Sequence, residues 1–104
     1  EYMLMAAEAR REDARARATG ELGIAWSMYA QGRETLRLLE HALLPQAQAT
    51  RDASQAALSS GKVDFDSVIE AERQLIDIRT QRLKTELDTR LALTEIKKLT
   101  GDLK

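Results

Sequence analysis

The residues that could perform chemistry are few, and the densest group is acidic. Asp64, Asp66, Glu70 and Glu72 follow one another within nine positions. Asp64 and Asp66 have the spacing that opens a calcium-binding loop. The sequence after them lacks the central glycine and the acidic twelfth residue that an EF-hand requires. We therefore exclude a calcium loop of that type.

Other reactive side chains are isolated. His41 has Leu44 and Pro45 at the i+3 and i+4 positions, so no helical partner could share a metal ion with it. The chain has no cysteine, which excludes disulfides and thiolate metal sites. No glycine-rich phosphate loop, nucleophile elbow or zinc pattern occurs. The sequence predicts neither an enzyme nor a bound cofactor.

The composition is typical of long helices. Aromatic residues make up 4% of the 104 residues and there is one proline. No segment alternates apolar and polar residues for long enough to form a strand, so we expect an all-α fold. The 16 basic and 17 acidic residues nearly balance, which argues against nucleic acid as a partner. No apolar run is long enough to span a bilayer, and no signal peptide is visible. The chain opens inside a helical pattern, which indicates a fragment of something longer.

One reversal organises the chain. Ser59, Ser60 and Gly61 end a long helical pattern, and glycine accepts the left-handed backbone that closes a helix. Asp64 precedes a new apolar period at Phe65 and has the side chain of a helix N-cap. The pattern predicts a long antiparallel, coiled-coil-like helical hairpin with a helix over about 2–58, a turn over 59–64 and a helix over about 65–100.

Four positions weaken the first helix. Gly20, Gly23 and Gly32 each cost about 1 kcal/mol relative to alanine inside a helix, and Pro45 removes one backbone hydrogen bond. Because the apolar period continues past all of them, we expect one helix with a kink at Pro45. The charged segment from Arg10 to Arg17 contains both signs, so we interpret it as a solvated helix face and not as a phosphate site.

Heptad spacing suggests which residues face each other. Ile69, Ile76 and Leu83 lie seven residues apart and predict the contact row of the second helix. The facing row of the first helix is expected to be Leu36, Leu39, Leu43, Ala47, Ala53 and Ala57. Antiparallel pairing would then place Leu36 near Leu87, Ala47 near Ile76 and Ser54 near Ile69. About 20 residues of the longer first helix would lack a partner. We expect the hairpin to need further copies of itself, or further parts of its own chain, to be stable. The reason is that five more apolar residues would stay exposed: Leu38, Leu44, Leu58, Ile78 and Leu93.

An ordered set of short segments carries a family resemblance. The segments are Leu43-Leu44-Pro45-Gln46-Ala47, Gly61-Lys62-Val63-Asp64-Phe65, Ala71-Glu72-Arg73-Gln74-Leu75 and Leu99-Thr100-Gly101. Together they resemble the C-terminal repeat of TolC-like outer membrane factors, best over residues 36–101. The resemblance implies a periplasmic helical hairpin of a trimeric efflux duct in a Gram-negative outer membrane, a fragment of an α-barrel.

The resemblance also implies functional positions. The family's turn meets a periplasmic adaptor linked to an inner-membrane pump, which here points to Ser60, Gly61, Lys62 and Val63. Gly61 matches the family's tip and Ser60 departs from its apolar residue.

Some members narrow the duct entrance with two acids three residues apart. Glu70 matches the second acid and Ser67 stands at the first, so Asp64 and Asp66 are the candidate substitutes. A carboxylate ring about a three-fold axis would attract cations. The alternative is that these acids only complement the helix N-terminus.

Two other functions fit the same residues. One is a stand-alone coiled-coil interaction module, for example a dimer that forms a four-helix bundle. The other is the α-hairpin of the periplasmic adaptor itself.

Overall fold

The computed structural model describes residues 2–102, and only residues 60–64 of these lie outside helices. Helix α1 spans Tyr2–Leu38, a π-helical turn spans Leu39–Leu43, α2 spans Leu44–Ser59 and α3 spans Phe65–Asp102. The predicted all-α helical hairpin, with its tip within residues 59–64, is confirmed. Helix α1 continues without a break through Gly20, Gly23 and Gly32, as expected from the apolar period.

The helix passes Pro45 by way of the π-turn. Pro45 has no N–H, and its ring would crowd the carbonyl four residues earlier, that of His41. Just before it, the Leu44 N–H bonds to the Leu39 oxygen, five residues back instead of four. This wider turn inserts one residue into the helix. The disturbance expected at Pro45 is therefore an inserted residue, and the helix does not break there.

The chain divides into two compact units. The turn unit comprises Gly32–Leu87, and its core contains two fully buried leucines, Leu39 and Leu75. Ala47, Val68 and Ala71 are buried with them. The Gln55 Nε2 donates a hydrogen bond to the Glu72 Oε1 over 3.1 Å, which joins α2 to α3 in antiparallel order.

The predicted contact row of the second helix is wrong. Ile76 is 57% exposed and Leu83 is 68% exposed, and Ile69 and Leu87 also lie outside. The buried and half-buried row of α3 in this unit follows alternating steps of three and four: Val68, Ala71, Leu75, Ile78, Arg82 and Thr85. A two-helix seam needs two apolar positions per heptad. The row of Ile69, Ile76 and Leu83 supplies only one apolar position per heptad. The second position would fall three or four residues after Ile69, where the chain has Glu72 and Arg73.

The first-helix prediction is partly right. Leu36, Leu39, Leu43, Ala47 and Ala57 are buried or half-buried, but Ala53 is exposed. Ser54 is half-buried in its place, in step with the residue inserted by the π-turn. Of the five apolar residues expected to stay exposed, only Leu38 does so; the other four are half-buried: Leu44, Leu58, Ile78 and Leu93.

The terminal unit comprises residues 1–31 and 88–104, of which 2–31 and 88–102 are described. Its core is Ala25, Ile96 and Leu99, with Leu22 and Tyr29 packed against it. The rings of Tyr29 and Trp26 meet edge to face with centroids 5.9 Å apart. Every residue from 2 to 17 is exposed, so this stretch of α1 has no partner helix among the described residues.

Within the described part of the chain, no helix combines the length and the apolar content that crossing a bilayer requires.

Candidate functional site: the turn and two exposed apolar faces

The turn is closed by backbone hydrogen bonds that depend on one glycine. The Lys62 N–H donates to the Ala57 oxygen over 2.8 Å, and the Gly61 N–H donates to the Leu58 oxygen over 3.0 Å. This pair of bonds is the Schellman motif, which needs a left-handed residue just past the helix end. Gly61 supplies it with φ of 75°. A Cβ at Gly61 would meet no atom within 4 Å, so the requirement for glycine comes from the backbone alone.

Asp64 caps the returning helix. Its Oδ1 accepts a hydrogen bond from the Ser67 N–H at 3.1 Å and another from the Ser67 hydroxyl at 2.9 Å. An aspartate before the first helical residue satisfies an N–H group that has no partner within the helix. The structure therefore gives Asp64 and Ser67 a capping role, which sequence spacing had indicated for Asp64.

The predicted adaptor-contact residues differ in accessibility. Ser60, Gly61 and Lys62 are exposed, whereas Val63 is half-buried. The Ser60 hydroxyl donates to the Ala56 and Ala57 carbonyls, both at 3.2 Å. A partner that approaches the turn would thus meet the backbone around Gly61 and the Lys62 side chain first.

The acidic residues after the turn separate into two environments. Asp64 is engaged as the cap, whereas Asp66 and Glu70 are exposed and lie four residues apart, one helical turn. Among the described residues, no three His, Cys, Asp or Glu side chains are grouped as a metal site would need.

An apolar row covers the outer side of α3 in the turn unit. It consists of exposed residues spaced by four or seven: Phe65, Ile69, Ile76, Leu83 and Leu87. At about 100° per residue, this row lies roughly 130° around the helix from the buried row. A helix with two apolar faces is suited to packing against two neighbours. The hairpin supplies one of them.

A groove of about 510 Å³ lies in the terminal unit, between α1 and α3. Ile24, Ala25, Met28, Leu91 and Ala92 form its apolar surface. Three carboxylates also line it: Glu21, Asp88 and Glu95. Sequence reasoning missed this groove. The spacing of Glu21, Ile24 and Met28, three and then four residues, was the available signal.

Comparison with known proteins adds no relative. No protein-family model, no curated protein and no solved structure gives a significant match to this chain.

Proposed function

We propose that the chain is a structural segment of a trimeric outer-membrane efflux duct. In this role the hairpin forms part of the periplasmic tunnel wall and presents its turn to a periplasmic adaptor, which is coupled to an inner-membrane pump. The proposal rests on the four motif segments given above and on the hairpin that carries them.

The observation that carries the proposal furthest is the second apolar face of α3. A free hairpin buries one face of each helix, and an exposed row of large apolar residues lowers solubility without adding stability. In a closed wall of helices, each helix has a neighbour on both sides. The row Phe65, Ile69, Ile76, Leu83 and Leu87 is exposed and lies roughly 130° around α3 from the buried row, on the side where such a second neighbour would lie.

The turn fits a protein contact made largely by backbone. Gly61 leaves open space where a side chain would stand, so another helical tip can approach the chain closely. Lys62 adds one exposed positive charge beside it.

A photo-crosslinking residue at Lys62 tests the adaptor contact. The full-length product of the gene that encodes this chain should form an adduct with a periplasmic adaptor in its own host. Lys84 is the matched control, because it is an exposed lysine on α3 away from the turn. Equal adducts from both positions, or none from Lys62, would count against the contact. Recovery of the product outside the cell envelope would count against the duct altogether.

The proposal also includes a narrow duct entrance lined by acidic residues. Three copies of Asp66 and Glu70 around a three-fold axis would form a ring of carboxylates that attracts cations. Replacing both with Asn and Gln should lower cation conductance of the assembled duct, measured in a planar bilayer. Asp52→Asn is a control for loss of one exposed charge elsewhere. Conductance unchanged by the double substitution would remove the constriction and leave these acids as complements to the helix N-terminus.

A further inference from the structure

In the turn unit, the packed face of the first helical arm changes its phase at the π-turn. Up to the π-turn the buried and half-buried residues follow a step of three and a step of four: Leu36, Leu39 and Leu43. An uninterrupted alternation would continue along a row that we name the Gln46 face: Gln46, Thr50, Ala53 and Ala57. The structure instead packs a row one residue later, the Ala47 face: Ala47, Arg51, Ser54 and Leu58. Gln46, Thr50 and Ala53 are exposed.

Helix α3 has no matching interruption. Its packed row keeps alternating steps of three and four through the whole turn unit: Val68, Ala71, Leu75, Ile78, Arg82 and Thr85. The residue inserted at Leu39–Leu43 therefore alone determines which face of α2 meets α3. One residue corresponds to about 100° of rotation around a helix. The hydrogen bond from Gln55 to Glu72, at 3.1 Å, is made in this rotational setting.

The two faces of α2 are similar in composition. The Ala47 face and the Gln46 face each hold two apolar and two polar residues. The stabilisation gained by burial follows the apolar area removed from water. The two faces differ in this respect mainly by the exchange of Leu58 for Ala57. Burial alone therefore gives only a weak preference for one rotational setting of α2 over the other.

Pro45 distinguishes the two settings much more strongly. In an uninterrupted α-helix Pro45 would lie in the interior, where its ring crowds the carbonyl of His41. In the π-turn the Leu44 N–H bonds to the Leu39 oxygen, five residues back, and Pro45 lies in the first turn of α2. A proline at the start of a helix is well tolerated, because its fixed φ suits the helix and no N–H is needed there.

We propose that Pro45 is a positioning residue that sets the rotation of α2 against α3. It does so by maintaining the π-turn, which brings the Ala47 face inward in place of the Gln46 face. The Gly61 turn is bonded to the oxygens of Ala57 and Leu58 at the end of α2. The rotation of α2 therefore also sets the direction in which the backbone at Gly61 is presented. This inference goes beyond the proposed duct segment and does not depend on it.

Cysteine labelling tests the rotation. The chain has no cysteine, so a single introduced thiol reports its own exposure. With Pro45 present, a maleimide should modify A53C several-fold faster than S54C, because Ala53 is exposed and Ser54 is half-buried. In the P45A background the order should invert, since an uninterrupted helix turns the Gln46 face inward. A56C is the matched control: Ala56 is exposed and lies on neither face, so its rate should be the same in both backgrounds.

Deletion of one residue tests the cause. Ala42 is an exposed residue of the π-turn. Removing it from the P45A variant leaves an uninterrupted helix in which the Ala47 face again points inward and Leu44 takes the place of Leu43. In this variant the residue numbered Ala53 should again react faster as cysteine than Ser54. A general loss of stability caused by P45A would not be reversed by a further deletion.

Three results would overturn the proposal. If A53C still reacts faster than S54C in P45A, with unchanged helix content by far-UV circular dichroism, Pro45 does not set the rotation. If both cysteines react equally fast in P45A and the helix content falls, Pro45 only supports the fold. An inverted order that persists after deletion of Ala42 would show that the inserted residue is not the cause.

Discussion

Within residues 65–87, helix α3 carries two apolar rows that sequence periodicity does not rank correctly. The inner row holds Leu75, which is fully buried, together with a valine, an alanine, an isoleucine, an arginine and a threonine. The outer row holds one phenylalanine and four leucine or isoleucine residues, and all five remain exposed. The more hydrophobic row is therefore the one that the hairpin leaves uncovered.

The difference shows what selects a seam. Two helices pack through two positions per heptad, and small residues such as Ala71 permit the close approach that interlocks them. The large residues of the outer row recur once per heptad with charged residues between them, and they do not form the seam of this hairpin. In this hairpin the apolar row of that kind lies on the exposed side of α3.

The sharpest test of this comparison uses two adjacent residues. Leu75→Ala should lower the free energy of unfolding by roughly 2–5 kcal/mol, because it leaves a cavity in a packed core. Ile76→Ala, one position along the same helix, should change it by less than about 0.5 kcal/mol. Urea denaturation followed by circular dichroism measures both. Similar losses for the two variants would mean that the rows are not divided into inner and outer as described.

The turn that joins the two helices can be weakened separately. Gly61→Ala should destabilise the chain by roughly 1–2 kcal/mol, because a residue with a Cβ must then hold a left-handed backbone. Gly23→Ala is the matched control. A Cβ at Gly23 would also enter open space, but Gly23 lies inside helix α1, where alanine is more favourable than glycine. The substitution should therefore raise the free energy of unfolding by up to about 1 kcal/mol. Effects of the same sign for the two alanines would argue against the backbone explanation.

The smallest effect is expected on the outer row. Leu83→Lys replaces a residue that is 68% exposed, so the unfolding free energy should stay within about 0.5 kcal/mol when measured on dilute monomer. A loss above about 1 kcal/mol would show that Leu83 is packed within a single chain. It would also weaken the argument that this face awaits a neighbour.

Short stretches of sequence were sufficient to predict where the chain reverses. Gly61 and Asp64 each act through atoms within a few residues: the glycine through its own backbone angles, and the aspartate through the N–H of Ser67. Such interactions are encoded in short stretches of sequence, which explains why the turn and the start of α3 could be predicted. The long apolar period likewise indicated that α1 continues past its glycines.

Other features depended on the fold. Pro45 indicated that the helix would be distorted, but only the structure shows that the distortion is a π-turn that inserts one residue. As a result Ser54 is half-buried and Ala53 is exposed. The groove beside Ile24 exists only because α3 lies next to α1 in the terminal unit.

By itself, the order of residues determined that this protein is helical, where it reverses and how the reversal is capped, because each of these properties arises from near neighbours along the chain. Tertiary structure alone decided which apolar row is covered and where the groove beside Ile24 lies. Those outcomes depend on the distance between two helix surfaces, and that distance is set by side chains far apart in sequence acting together.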